Sequence, residues 1–463
     1  MRNTHTVLSQ PLPPRRFQWL LVLVLFAVYL VGIVVVAFLY PDRSLDVAIL
    51  GVSFVMIAQG VGAFLLMTYA WNDPRELAKI KSPEELDEPH RSFTALIAAR
   101  HEETVIADTL QAVAGIDYPD RLKEAIIICS SDDTSTIQAV RQALAKLGKK
   151  NMKLIIVKGS RISKPHSLNV GLKEAVGEVV VVFDAEDEPN GGIYKIVNTV
   201  MEHSGADVVQ SGVQLVNPAS RWFSTLNVLE YFFWFKSFLV FFSKVGLIPL
   251  GGNTVFFKRE WLTHFGGWDE DCLTEDAEIG IRMSAGGANI HVVYDETHVT
   301  REETPLTIAG FIRQRTRWNQ GFLQVLKKGD WMRLPHVGQQ MLAIYVLAWP
   351  VVQAAFLLYL PISLMLLLGQ KVSVVTALVS NIPTYLLLLQ LSTLAVGMYE
   401  FSRRFKVPYR ITTPLRIIAT FFPYQILLGI SAFRAFWRAL IGTRGWEKTH
   451  HVNVHRTVGA VAI

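Results

Sequence analysis

Residues 179–189 read VVVVFDAEDEP, a stretch in which an apolar run ends directly in a cluster of acids. The β-branched residues and the length of the run predict a buried strand over Val179–Phe183. Asp184, Glu186 and Asp187 follow at the end of that strand. Crowded carboxylates repel one another without a counterion, and oxygen ligands select a hard cation such as Mg²⁺ or Mn²⁺. A solvated turn is the structural alternative, but the pattern favours a divalent-cation site at these three acids.

Upstream of this stretch, short apolar runs alternate with stretches of helical character. The predicted strands are Phe93–Ala98, Ala125–Cys129 and Leu154–Val157, and the predicted helices are Glu103–Ala114, Thr136–Leu147 and Ser167–Ala175. This alternation is typical of an α/β fold, a parallel sheet with helices on its faces. In such sheets, ligands bind beyond the carboxyl ends of the strands.

Polar residues stand at those strand ends. Arg100 and Glu102 follow the first strand, and Asp132 and Asp133 follow the second. A carboxylate in this place is suited to hydrogen-bond a nucleoside. The run Asp-Asp-Thr-Ser is equally suited to cap the following helix, so the sequence leaves both interpretations open.

Thr274-Glu275-Asp276 stands directly before residues 277–285, which have helical character. Thr274 is suited to cap that helix, whose dipole would stabilise the two acids in its first turn. The functional interpretation makes Asp276 a general base that removes a proton from an acceptor hydroxyl. From this motif alone, the capping interpretation is favoured.

Gln314-Arg315-Thr316-Arg317-Trp318 lies in a stretch of helical character over residues 308–327. Arg315 and Arg317 are suited to neutralise a diphosphate, and Trp318 offers a face on which a sugar ring stacks. The alternative is a helix at the membrane surface whose arginines extend their charges into water.

Long apolar segments flank this polar region, and 51% of all residues are hydrophobic. Segments 17–40 and 45–70 each reach the roughly 20 residues that cross a bilayer, as do Met341–Leu368 and Val372–Met398. Residues 413–440 are interrupted by Arg and Pro, and fit either one further span or a re-entrant pair of short segments. The aromatic stretch 221–242 fits a buried core helix and an interfacial helix equally well.

Basic residues set the expected orientation and the domain limits. Arg2, Arg15 and Arg16 precede the first span, which predicts a cytoplasmic N-terminus and a cytoplasmic central domain in a multi-pass protein of the cell membrane. The expected order of segments is a tail (1–16), two transmembrane helices (17–70), a linker (71–91), the α/β domain with interfacial helices (92–339), a membrane region of three or four segments (340–440) and a basic tail (441–463).

The ordered series of motifs closely resembles the membrane-embedded family 2 glycosyltransferases, which include the cellulose, chitin and hyaluronan synthases. The resemblance covers about residues 92–330. The motifs that carry it are Asp132-Asp133, Asp184–Asp187 followed by Pro189, Thr274–Asp276 and Gln314–Trp318, with further matches at Ala99–Glu103, Lys164–Asn169, Pro249–Asn253 and Trp446–His450.

The resemblance implies a GT-A fold, a mixed Rossmann-like sheet, that transfers a sugar from a nucleotide-sugar donor in one inverting displacement. It implies donor contacts by Arg100, Glu102, Asp132, Asp133, Lys164 and Asp184, and a divalent cation, Mg²⁺ or Mn²⁺, at Asp184, Glu186 and Asp187. It makes Asp276 the catalytic base beside Glu275, and places Gln314, Arg315, Arg317 and Trp318 around the acceptor and the phosphates.

One position departs from the family pattern. The second acid of the usual Asp-x-Asp motif is Glu186 here, with Asp187 immediately after it, so the identity of the second cation ligand stays open.

The expected function is elongation of a glycan coupled to export, with a UDP-sugar as the favoured donor. The alternatives are transfer of a single sugar to a membrane lipid, as in enzymes similar to ceramide glucosyltransferase, and a non-enzymatic membrane subunit, which the complete set of acids disfavours. The expected partners are the donor, a glycan or lipid acceptor, membrane lipids and an export or regulatory subunit. The modest net charge of +6 without a basic-aromatic module predicts no nucleic-acid partner.

Overall fold

The structure is a computed structural model. It describes residues 44–159, 163–369 and 373–443, together with residues 24, 27, 28, 31, 32, 34–36, 38–40, 445, 447 and 456. The first predicted span, 17–40, falls mostly on residues outside this described part. So do most of Trp446–His450 and the tail after it.

The described ranges form helices and strands in the following order. The strands are β1 (Phe93–Ala99), β2 (Lys123–Ser130), β3 (Met152–Val157), β4 (Val179–Phe183), β5 (Val208–Ser211), β6 (Val213–Leu215), β7 (Val255–Lys258), β8 (Ile290–Val293) and β9 (Thr300–Glu302). The helices are α1 (Ser44–Asn72), α2 (Pro74–Lys79), α3 (Ile106–Ala114), α4 (Thr134–Leu147), α5 (Lys164–Glu174), α6 (Ile193–Ser204), α7 (Ser224–Phe233), α8 (Leu239–Val245), α9 (Arg259–His264), α10 (Glu275–Ala285), α11 (Ile308–Lys328), α12 (Val337–Leu347), α13 (Trp349–Gly369), α14 (Val374–Arg404) and α15 (Thr413–Leu440).

A seven-stranded mixed sheet forms the centre of the soluble domain, with the strand order β3-β2-β1-β4-β7-β5-β8. Strands β1 to β4 run parallel, whereas β7 is antiparallel to both β4 and β5. Strand β4 is buried along its whole length between β1 and β7, as its continuous apolar sequence predicts. The four strands predicted from the first half of the domain are confirmed, and their carboxyl ends share one edge of the sheet.

The aromatic stretch around α7 and α8 is mostly interior. The segment Ser224–Val245 has 72% of its most apolar window buried, which supports the core-helix interpretation of this stretch. A π-helical turn, Trp234–Phe238, joins the two helices. Ser237 in this turn contacts α1, since its hydroxyl donates to the Leu66 carbonyl and accepts from the Ala70 amide.

Four helices in the described ranges are long and apolar enough to cross a membrane, judged by length and composition: Ile49–Asn72, Ser224–Val245, Val374–Arg404 and Thr413–Leu440. The pair Val337–Leu347 and Trp349–Leu358 makes a fifth candidate if it counts as one bent span. These helices identify the chain as a membrane protein.

The segment Met341–Leu368, predicted to be long enough to span the membrane, is bent in the structure. Helix α12 ends at Leu347, and α13 begins at Trp349 after a bend of 50°. Pro350 explains the break, because proline lacks an amide donor and restricts the residue before it. The ambiguous segment 413–440 is one continuous helix, α15, which contains Pro423.

Candidate active site

A cavity of about 530 Å³ begins at the carboxyl edge of the sheet. It extends between the apolar helices α1, α13, α14 and α15. Its sheet end is lined by charged and polar side chains: Arg100, Glu102, Lys164, Asp184, Glu186, Glu275, Asp276, Glu302, Gln314, Arg315, Arg317 and Trp318. Its other end is lined mainly by apolar side chains from α1, α13, α14 and α15. One space therefore joins most of the predicted polar motifs to the membrane region.

Asp184 lies at the end of β4 and carries a fixed positive neighbour. Lys164 Nζ, from the first turn of α5, lies 2.5 Å from Asp184 Oδ1 and 3.7 Å from Glu275 Oε1. Burial opposes the charge on Lys164, but the two carboxylates more than offset it and raise the pKa of the ammonium. Lys164 thus joins the β4 turn to the Thr274–Asp276 motif by electrostatic attraction.

Glu186 and Asp187 are neighbours in sequence but differ in position. Glu186 lines the cavity, whereas Asp187 is fully buried. Asp187 accepts the backbone amide of Asp184 at 2.9 Å and the side-chain amide of Asn253 at 2.7 Å. The buried carboxylate therefore shapes the turn that presents Asp184 and Glu186 to the cavity.

Glu302, on β9, is an acid of this cluster that none of the predicted motifs contained. Its carboxylate accepts a hydrogen bond from Asn253. Burial, together with the carboxylates of Glu186 and Asp184, raises the pKa of Glu302 to about 8. Burial and Glu302 likewise raise the pKa of Asp187 well above its ordinary value. The sequence signal was weak, because β9 is a three-residue strand in a polar stretch.

The donor chemistry of this cluster fits a divalent cation. Mg²⁺ is commonly bound by one or two carboxylates together with substrate phosphates, and Asp184 and Glu186 supply such a pair at the cavity wall. Within the described residues, no group of three or more His, Cys, Asp or Glu side chains is arranged to hold a metal ion unaided. The acids therefore fit a cation that is shared with a phosphorylated ligand.

Asp276 lies in the first turn of α10, at the cavity wall. Burial and the Glu275 carboxylate raise the pKa of Asp276 to about 7, although Lys164 and Arg317 favour its charged form. Thr274 is the N-cap residue of α10, and Glu275 and Asp276 lie in the first turn, as the capping interpretation predicts, but the Thr274 side chain makes no capping hydrogen bond. A Cβ on Gly321 of α11 would lie 2.5 Å from the Thr274 side chain, so α11 packs directly on this motif.

Asp132 and Asp133 have different roles in the structure, and neither lines the cavity. Asp133 is buried and caps α4, accepting the Thr136 amide at 3.2 Å and the His101 amide at 2.5 Å. Asp132 is exposed and bonds Arg100 at 2.9 Å. Hydrogen bonding by Ser130 and the charge of Arg100 lower the pKa of Asp132. Of the pair, Asp132 is the acid that a ligand can reach.

The Gln314–Trp318 motif lies on α11 and faces the cavity. Arg315 is paired with Glu230 of α7, and its guanidinium lies 4.5 Å from the centre of the Trp318 ring. The charge of Arg317 favours the ionised form of Asp276. Arg315 is thus paired with a carboxylate of α7, whereas the charge of Arg317 acts on the Thr274–Asp276 motif.

Comparison with known proteins identifies the family of this domain. The model of the family described as "Glycosyltransferase like family 2" matches residues 89–321, which is half of the chain. Among solved structures, the mannosyltransferase PcManGT from Pyrobaculum calidifontis, in complex with GDP-Man and Mn²⁺, aligns with a TM-score of 0.50 at 20% identity. That alignment covers 84% of this chain and 99% of the other. The expected GT-A fold is confirmed.

Curated relatives match about half of this chain. A beta-monoglucosyldiacylglycerol synthase of Nostoc sp. is 28% identical over 50% of this chain and 48% of its own length. A poly-beta-1,6-N-acetyl-D-glucosamine synthase of Staphylococcus epidermidis is 26% identical over 54% of this chain and 59% of its own length. The chain thus spans about half the length of the curated relatives it matches.

Proposed function

Because the chain belongs to glycosyltransferase-like family 2, we propose that it transfers a sugar from a nucleotide-sugar donor to an acceptor held in the cavity, with inversion at the anomeric carbon. The observation that carries this proposal is the sharing of one cavity by three groups. These are the carboxylate pair Asp184 and Glu186, the base candidate Asp276, and the cationic and aromatic side chains of α11. Each corresponds to one requirement of the transfer reaction.

The donor diphosphate binds at the β4 turn. Asp184 and Glu186 would hold the divalent cation, which would supply positive charge to the departing nucleoside diphosphate. Asp187 keeps its position behind them, fixed by Asn253 and the Asp184 amide. Lys164 and Arg317 add positive charge where negative charge develops on the leaving group. In this proposal the exposed carboxylate of Asp132, which accepts a hydrogen bond from Arg100, contacts the nucleoside.

Asp276 is the general base. A single inverting displacement needs a base on the acceptor side of the anomeric carbon, opposite the leaving diphosphate. A pKa of about 7 suits that task, because such a carboxylate is partly ionised at neutral pH and is a stronger base than an ordinary one. Gly252 allows the 249–253 turn to approach closely, since a Cβ there would lie 3.1 Å from Asp276 Oδ2.

The favoured acceptor is the end of a growing glycan. The cavity continues past Trp318 into the helical region, where amide side chains of Gln353, Gln390 and Gln425 are among the lining residues. Amides are able to hydrogen-bond sugar hydroxyls along such a path. One relative is a poly-beta-1,6-N-acetyl-D-glucosamine synthase, which supports a polymer product.

A membrane lipid is the second candidate acceptor. Most of the lining contributed by α1, α13 and α14 is apolar, as an acyl chain would require. Another relative is a beta-monoglucosyldiacylglycerol synthase. Both candidates place the catalytic domain at the cytoplasmic face of the membrane, in keeping with the basic residues before the first span.

Nucleotide release by the detergent-purified chain tests the proposal. The assay uses a panel of UDP- and GDP-sugars with Mn²⁺ or Mg²⁺, and again with EDTA, followed by analysis of product length. Release that requires the cation and one donor is expected. A ladder of products identifies glycan elongation, and a single glycolipid identifies the lipid acceptor. Absence of release with every donor, also after addition of native membranes, would contradict the proposal.

A further inference from the structure

Glu230, in α7, is a carboxylate at the cavity wall that belongs to none of the sequence motifs. Its Oε2 accepts hydrogen bonds from Arg315 and from the Tyr424 hydroxyl, the latter at 2.6 Å. Among the described residues, Oε1 has no hydrogen-bond partner. The Glu230 side chain is 34% exposed, although its own segment, Ser224–Val245, has 72% of its most apolar window buried. One carboxylate oxygen is therefore occupied, and the other is open to the cavity.

Arg315 and Tyr424 both donate to the same oxygen of Glu230, Oε2. A guanidinium commonly pairs with both oxygens of a carboxylate, an arrangement that would have used Oε1 as well. Here Arg315 compensates the charge of Glu230 and, with Tyr424, fixes its orientation. A charged group that is partly withdrawn from water is costly unless it is paired, and Arg315 offsets that cost. The structure thus presents a fixed, unfilled hydrogen-bond acceptor.

The surroundings of Glu230 match the needs of a sugar ring. Trp318 lies on the cavity wall, and Arg315 packs against its ring. Tyr231, the residue after Glu230, also lines the cavity, with its ring centre 6.3 Å from that of Trp318. Aromatic planes contact the apolar C–H face of a sugar, whereas a carboxylate oxygen accepts its hydroxyl hydrogen. Glu230 and Trp318 provide both contacts side by side.

We propose that Glu230 determines acceptor specificity, with Oε1 accepting a hydrogen bond from a non-reacting hydroxyl of the terminal sugar of the acceptor glycan. This inference rests on the proposed function, because it assumes that Trp318 and Asp276 face the acceptor. Glu230 takes no proton in the reaction. It orients the terminal sugar so that another hydroxyl meets Asp276.

The test compares Glu230→Gln with a matched control, Glu400→Gln, in the full-length protein. Glu400 also accepts hydrogen bonds from one cation, Lys236, and one aromatic donor, Trp71 Nε1 at 3.0 Å. It does not line the cavity. Both substitutions remove the negative charge from a paired carboxylate, but only one of them changes a group that faces the acceptor.

Three quantities are measured for each variant: the KM for acceptor, the affinity for UDP and the midpoint of thermal unfolding. The acceptor probes are glucose and N-acetylglucosamine pentasaccharides, and dioleoylglycerol in phosphatidylcholine vesicles. Glu230→Gln should raise the pentasaccharide KM by about tenfold, as expected for a lost hydrogen bond to a charged group. Its UDP affinity should stay unchanged. Glu400→Gln should lower the unfolding midpoint and leave the pentasaccharide KM unchanged.

Other results would overturn the inference. An unchanged pentasaccharide KM in Glu230→Gln would show that Glu230 only joins α7 to α11 and α15. A raised KM for dioleoylglycerol alone would assign Glu230 to a lipid hydroxyl instead of a sugar. If Glu230→Gln fails to fold, Glu230→Asp keeps the charge beside Arg315 but withdraws the carboxylate, and the same rise in KM is expected. Failure of the proposed function is distinct, since the wild-type protein would then release no nucleotide.

Discussion

The sheet end of the cavity is built from charges held in pairs, whereas its membrane end is built from apolar side chains with a few amides. At the sheet end, Lys164 lies between Asp184 and Glu275, and Glu230 holds Arg315. At the membrane end, α1, α13, α14 and α15 each contribute lining residues. In the proposed function, the chemistry takes place at the sheet end, and the membrane end accommodates an acceptor or product.

The largest expected effect comes from Asp276 at the sheet end. Asp276→Asn removes the general base and should lower kcat by about a thousandfold, because base catalysis contributes that order of rate. Binding of the UDP-sugar should stay unchanged, since the base acts on the acceptor. Nucleotide release and donor binding, measured on the same preparation, check this. Turnover like that of wild type would refute the assignment of the base.

The next effect separates Glu186 from Asp187. Glu186→Gln should raise the Mn²⁺ concentration needed for half-maximal activity by at least about tenfold, by analogy with metal-site substitutions. Asp187→Ala should lower the free energy of unfolding by about 2 kcal/mol, because it leaves the Asp184 amide and Asn253 without their acceptor. Metal titration and thermal unfolding measure the two effects. Equal metal dependence in Glu186→Gln and wild type would assign the second cation ligand elsewhere.

The pH dependence of kcat/KM gives a further test of the sheet end. Asp276, with its pKa raised to about 7, must be deprotonated to act as a base. Activity should therefore fall about tenfold for each pH unit below that value and level off above it. A profile that stays level down to about pH 5.5 would show that no group of raised pKa serves as the base.

The smallest expected effect belongs to the membrane end. Leu386 of α14 lines the cavity close to Gly60 of α1, where an added Cβ would lie 3.1 Å from its side chain. Leu386→Trp should raise the KM for acceptor by roughly fivefold, the equivalent of about 1 kcal/mol. The KM for donor should not change. A rise in the donor KM instead would show that the two ends do not have separate roles.

The sequence predicted the sheet end better than the membrane end, for physical reasons. The run Val179–Phe183 identified the central strand, because a strand buried on both faces is continuously apolar. Strands β5 and β6 lacked such a signal. They are short, and each has a buried glutamine in place of an apolar residue, Gln210 in β5 and Gln214 in β6, whose side-chain nitrogen donates to backbone carbonyls. Strands β1 and β2 are also buried and mostly apolar, so their carboxyl ends were predicted to within one residue.

Two acids that line the cavity lie outside every predicted motif, and the sequence analysis did not identify them. Glu302 and Glu230 come from a three-residue strand and from an aromatic helix, and only the fold brings them beside Asp184 and Trp318. The Asp132-Asp133 motif was predicted, but its two acids have different roles. Asp133 caps a helix, and Asp132 faces outward. Sequence spacing indicates which residues are close together, but the direction of each side chain depends on packing.

A cryo-electron microscopy structure of the purified protein with UDP and Mn²⁺ would show whether the donor and the acceptor use different ends of the cavity. We expect the diphosphate and the cation at Asp184 and Glu186, with Asp187 still bonded to Asn253. We also expect the space beside Trp318 and Glu230 to stay open to the membrane end of the cavity. A nucleotide bound away from the β4 turn, or one that fills the space beside Trp318, would contradict this division of the cavity.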